Sequence, residues 1–154
     1  MTRKGRSWFS AAVVAFVIAA VLWGLRGQPM QAQSQADASQ SVWDGVYTEG
    51  QANRGQTVYG EECARCHAES LMGGEGSPAL AGDAFIERWN GQTAGGLFER
   101  IRTTMPADSP GRLSRKQYSD TVAYIFSVNK FPAGQKELER EGDALNRIKI
   151  EPHR

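Results

Sequence analysis

The sequence is poor in the residues from which most sites are built. Only two cysteines and two histidines occur in 154 residues. That excludes a disulfide-dense scaffold and a four-ligand zinc site made from neighbouring residues. Neither charge dominates: eighteen basic residues stand against seventeen acidic ones, a formal net charge of +1. A nucleic-acid binder would need a strong basic excess. No stretch alternates as a strand, no internal repeat occurs, and nothing is of low complexity beyond a short Gln/Ser run.

What is present is ordinary globular stuff, 40% hydrophobic and 23% charged, so disordered and collagen-like classes are excluded. The 17 glycines point to short helices separated by loops. The length predicts one domain.

Residues 1–38 differ from the rest. Arg3, Lys4 and Arg6 precede an uncharged apolar run from Trp8 to Leu25, and Ala36-Asp37-Ala38 has the form of a cleavage signal. This is the layout of a secretory leader, although the run also reaches bilayer-spanning length. Residues 1–38 are therefore expected to be a signal peptide or an N-terminal membrane anchor. No cysteine lies nearby to carry a lipid. Basic residues stay on the cytoplasmic side, so the remainder is expected outside that membrane, in the periplasm.

Residues 39–47 read as a polar linker, 48–134 as the folded domain and 135–154 as a C-terminal extension. Thr48 with Gln51, and Ser114 with Gln117, have capping-box spacing. The first opens a helix ending near Cys63. The second opens the most periodic segment, where Tyr118, Val122, Ile125, Phe126 and Asn129 share a face. Residues 68–82 hold too many Gly and Pro for regular structure. Short helices are predicted over 83–90, with Phe85, Ile86 and Trp89 inward, and from Thr93 to about Met105, where Pro106 forbids continuation. The class is all-α.

Cys63-Ala64-Arg65-Cys66-His67 is the decisive pentapeptide. Two thiols three residues apart on a helical turn point the same way, so each can add to one vinyl group of a haem while the next residue offers an imidazole to the iron. C-x-x-C-H reads as covalent c-type haem attachment. A thioredoxin-like dithiol would need a βαβ context that the sequence lacks. A zinc site would have to draw on His153, far along the chain.

The chain resembles the small bacterial monohaem class I c-type cytochromes over about residues 46–132. The likeness rests on Gly55-x-x-x-Tyr59, Cys63-x-x-Cys66-His67, Ser77-Pro78-Ala79-Leu80-Ala81-Gly82, Thr104-Met105-Pro106 and Val122-Ala123-Tyr124-Ile125. It implies the cytochrome c fold, short helices wrapped around one covalent haem c. The run from Val128 to Gly134 is similar to a subset often found with periplasmic quinoprotein dehydrogenases.

The second axial ligand decides between a closed site that transfers electrons and an open one that binds or activates small molecules. Met1 and Met30 lie in the leader. Met72 follows His67 by five residues, at most about 18 Å of chain, an awkward reach to the opposite haem face. Met105 comes after two helices, beside Pro106, and the resemblance points to it as well. The alternatives are Met105 as core filler with an open site, and His153.

The resemblance also implies that Pro78 offers a carbonyl to the other ring nitrogen of His67; otherwise it is a bare turn proline. Trp89 is either a donor to a haem propionate or a core aromatic. Gly55 and Tyr59 are expected to pack across Tyr124 and Val122. Arg65 is expected to be solvated, and Tyr118 and Phe126 to be core.

Charge is uneven along the chain. From Asp44 to Glu87 eight acids face two bases, whereas from Arg88 to Lys130 seven bases face three acids. Arg100, Arg102, Arg112, Arg115 and Lys116 flank Met105. They would either steer an acidic partner or be spent on propionates and solvent.

The function this predicts is a periplasmic, non-enzymatic single-electron carrier with His67 and Met105 as axial ligands. It would shuttle between periplasmic redox proteins, a quinoprotein dehydrogenase as donor and a terminal oxidase as acceptor. No nucleic acid is involved, and the membrane is met only through an uncleaved leader. The alternatives are a haem enzyme or gas sensor with an open sixth site, and a subunit docked on a dehydrogenase through residues 135–154.

Overall fold

The computed structural model describes residues 39–152; the leader and His153 lie outside them. In chain order the elements are β1 (Gln40–Ser41), a 3-10 turn (Val42–Asp44), α1 (Glu49–Glu62), α2 (Ala64–His67), α3 (Asp83–Trp89), α4 (Ala94–Thr104), α5 (Arg115–Val128), α6 (Gly142–Leu145) and β2 (Ile148–Lys149). The architecture is all-α, with one small addition: β1 and β2 pair in parallel, Gln40 opposite Ile148. Two-residue strands are too short to register as alternation. Among the described residues, no helix is long and apolar enough to cross a membrane.

Helices α1 and α5 cross at Gly55. A Cβ there would run into the Asp120 carbonyl and stand 2.9 Å from the Tyr124 Cβ, so only glycine permits the approach. Tyr59 and Tyr124 pack beside it with ring centroids 5.4 Å apart. The inward face of α5 is as its periodicity predicts, with Tyr118, Val122, Ile125 and Phe126 buried. They meet Phe85 of α3 and Leu97 and Phe98 of α4 in one core.

The caps divide the two helix starts. At α5 the box is complete: the Gln117 N–H donates to Ser114 Oγ and the Ser114 N–H to Gln117 Oε1 (3.2 and 3.0 Å). At α1 only half forms. Thr48 Oγ1 accepts from the Gln51 N–H at 3.1 Å, but the Gln51 side chain turns inward. Its Nε2 donates to Ser119 Oγ and the Leu138 carbonyl, and its Oε1 accepts from the Leu138 N–H (3.1, 3.0 and 2.6 Å). A buried amide bonded on both ends stabilises more than a reciprocal cap in solvent would.

Both flanking segments pack into the domain. Residues 39–47 are not a linker: Val42, Val46 and Tyr47 are buried, and the Tyr47 hydroxyl donates to the Phe131 carbonyl at 2.6 Å. Nor does the extension hang free to dock. Leu138, Leu145, Ile148 and Ile150 are buried in the same core, so the apolar residues that would have met a partner are already covered.

Candidate functional site

Helix α1 ends at the pentapeptide. The Cys63 N–H still bonds to the Tyr59 carbonyl (2.9 Å), and the Cys66 and His67 N–H groups bond back to the Cys63 carbonyl (3.1 and 3.0 Å). The five residues are thus one helical turn, and neither thiol is in a disulfide. Cys63 is half-buried and Cys66 exposed. Burial, followed by the charge of Glu62, pushes the Cys63 thiol up to about 11 against an opposing pull from Arg112. A dithiol built for exchange needs the opposite shift.

His67 is buried, and its Nδ1 stands 2.9 Å from the Pro78 carbonyl. A carbonyl can only accept, so Nδ1 carries the proton and Nε2 keeps its lone pair. The loop aims that carbonyl. Gly73, at φ +79°, lies so close to Pro78 that a Cβ would stand 2.8 Å from its carbonyl carbon, and the Gly73 N–H bonds the His67 carbonyl at 3.1 Å.

The loop is fastened to the helices at both ends. The Tyr59 hydroxyl donates to the Ala68 carbonyl at 2.7 Å. The Asn129 amide donates to the Leu80 carbonyl and accepts from the Gly82 N–H (2.9 and 3.0 Å). Sequence reasoning missed these tethers. The signal for the first is a tyrosine where phenylalanine would fill a core position, because a buried hydroxyl needs a partner.

Met105 follows α4 in extended conformation, φ −127° and ψ 154°, as the following proline requires. It is half-buried. Two ion pairs bring its loop beside the motif: Arg65 with Asp108 (3.1 Å), and Arg112 with Glu62. Arg65 is therefore paired, though both partners are largely exposed. Met72, the alternative thioether, is 60% exposed. Trp89 is part of the core.

The basic cluster is mostly spent within the chain. Arg102 pairs with Glu99 (2.7 Å), Arg112 with Glu62, and Lys116 with Asp120 (2.6 Å). Arg115 lies 3.8 Å from Glu99, 3.6 Å from Glu141 and over the Phe98 ring. Of the five cations flanking Met105, four already have carboxylates beside them.

Unpaired thiols one turn apart and an imidazole with Nε2 left open form a donor set that fits a covalent haem c. The family model described as cytochrome C oxidase, cbb3-type, subunit III matches residues 50–125. The cbb3-type cytochrome c oxidase subunit CcoP of Azospirillum brasilense is 30% identical over a 92-residue alignment, covering 49% of this chain and 30% of that protein. The chain thus spans under a third of the length of this relative. Among solved structures, a chain of the sulfane dehydrogenase SoxCD from Paracoccus pantotrophus is 20% identical with a TM-score of 0.42, over 70% of this chain and 59% of its own.

Proposed function

Since the chain is a small monohaem c-type cytochrome carrying covalent haem c, we propose that it is a single-electron carrier with a closed, His/Met-ligated site. In this reading Cys63 and Cys66 hold the haem through thioethers, and His67 Nε2 and the Met105 sulfur are the axial donors. Trp89, a residue of the core, would offer its indole N–H to a propionate. Haem c would supply a one-electron iron couple, and a thioether paired with an imidazole would bias it toward the ferrous state.

The protein's own part is to keep these donors still. The Pro78 carbonyl fixes the tautomer and rotation of His67. Tyr59 and Asn129 hold the two ends of the loop that carries Pro78. A site held this way changes oxidation state with little rearrangement, as a carrier requires. The observation that carries the reading is the His67–Pro78 hydrogen bond, which leaves one defined nitrogen for iron beside two unpaired thiols.

We place the carrier in the periplasm on the strength of its leader. As partners we propose other periplasmic redox proteins, with a quinoprotein dehydrogenase as donor and a terminal oxidase as acceptor. That the Azospirillum relative is named as an oxidase subunit supports a second reading, an electron-transfer subunit held in a complex; co-purification with a partner would decide for it.

The test is absorption spectroscopy of protein matured with the haem-attachment machinery, for wild type and Met105→Ala. The expected result is a weak far-red ferric band from sulfur–iron ligation in wild type, lost in the variant together with a gain of CO binding by the ferrous form. A wild type that lacks the band and binds CO at neutral pH would replace the carrier with a haem enzyme or gas sensor.

A further inference from the structure

Met105 has no helix to hold it. Its N–H still bonds to the Ile101 carbonyl at 2.8 Å, but beyond that the chain leaves α4 and runs irregularly to Ser114. Two donors meet the Met105 carbonyl. One is the Gly111 N–H at 3.3 Å, from the same loop. The other, shorter, is the Tyr118 hydroxyl at 2.8 Å, from the buried face of α5. The same phenol oxygen accepts from the Leu113 N–H at 3.4 Å. One atom thus ties residue 105 to residue 113 and closes the loop at its base.

The phenol is itself immobile. Tyr118 is 1% exposed, its ring stands edge-on to Phe98 with centroids 6.4 Å apart, and it sits in the first turns of α5 behind the complete Ser114–Gln117 cap. Phenylalanine would fill the same volume. The hydroxyl has a single use here, to bond the loop backbone at both ends.

We propose that Tyr118 is the positioning residue for the distal methionine: its hydroxyl sets where the Met105 backbone stands, and so whether the thioether reaches the iron. The proposal rests on the reading of Met105 as axial ligand. Tyr118 touches neither iron nor haem in this account and acts through Met105 alone.

Tyr118→Phe keeps the packing and removes only the hydrogen bonds. Compared with wild type, the variant is expected to keep its covalent haem and helical circular dichroism, to show a weakened far-red ferric band, and to bind CO in the ferrous form about three to ten times faster. That range is what one hydrogen bond of ordinary net strength can hold shut. Met105→Ala, measured alongside, separates two failures. If Met105→Ala leaves the band intact, the ligand reading falls and this proposal with it. If Met105→Ala abolishes the band while Tyr118→Phe matches wild type in band and CO rate, only the positioning role is overturned.

Val122→Ala, a cavity on the same helix, controls for general loosening. It should lower the melting temperature without touching the band; a parallel loss of band there would also overturn the proposal. Should Tyr118→Phe fail to mature, 3-fluorotyrosine at 118 keeps the shape and donates more strongly. The bond it donates to Met105 (2.8 Å) is much shorter than the one it accepts from Leu113 (3.4 Å), so the stronger donor should slow CO binding, and a rate equal to wild type would overturn the positioning role.

Discussion

Two faces of this domain are held in different ways. Where α1 crosses α5, backbone lies on backbone at Gly55, and the polar groups in the contact are buried and answered. Gln51 is bonded at both ends, and Asp120 lies under cover between Arg54 and Lys116 (3.0 and 2.6 Å). The face with Cys63, Cys66 and Met105 is half-buried turn and loop. What steadies it is a set of single side chains reaching out from the helices to loop backbone: Tyr59 to Ala68, Asn129 to Leu80, Tyr118 to Met105. The difference separates two tasks. The crossing supplies the stability, and the candidate site hangs from it by hydrogen bonds that can be cut one at a time.

The harshest trial of this contrast is Gly55→Ala. Because the obstacle is backbone on a packed helix, the crossing must open, at a cost of about 3 kcal/mol or more. Thermal unfolding followed by circular dichroism would read it, and an unshifted midpoint would break the comparison. Asp120→Asn should cost about 2 kcal/mol by removing charge-assisted bonds. It also carries a pH signature. Burial pushes the Asp120 carboxyl up, but the bonds from Arg54 and Lys116 outweigh it and hold it below its ordinary value. The ion pairs therefore stabilise fully above about pH 4, the unfolded value, and that contribution is lost as pH falls through the depressed native one. In a series of denaturant titrations, the variant's stability should fall less steeply than wild type's over that acid range.

On the site face the effects shrink. Tyr59→Phe should cost about 1 kcal/mol. The sharper measure is hydrogen exchange, faster in residues 69–74 with no change over 119–126; acceleration in both would mean that the two faces are one. Arg65→Gln comes last. Its pair with Asp108 is 80% and 53% exposed, so a double-mutant cycle should find less than about 0.5 kcal/mol of coupling.

Local signals were legible in the sequence because they are local. The C-x-x-C-H turn, the Ser114 cap, the stop at Met105-Pro106 and the buried face of α5 each fit within a few residues of chain. What sequence reading missed depends on contacts far apart. Residues 39–47 look polar, yet Tyr47 bonds Phe131. Residues 135–152 lack a clean period, yet Leu145 and Ile150 are fully buried. Gln51 has the spacing of a cap partner and instead answers Ser119 and Leu138. The cations around Met105 suggest an open field when counted along the chain, but the fold sets carboxylates from Glu62 to Glu141 beside them. The reading of Pro78 comes from resemblance, and the geometry adds the His67–Pro78 bond and the phenol tethers.

The short parallel pairing of β1 with β2, sealed by the Trp43 indole on the Glu151 carbonyl at 3.1 Å, imposes an order of events. A seam between the first and last described segments can shut only after nearly the whole domain has been made, and joining ends so far apart carries the loop-closure cost of the intervening chain. Residues 63–67 are synthesised well before residues 148–151. The motif turn, built from contacts within residues 59–67, can therefore form while the domain is still open at its hem. The last strand is what ties off the domain.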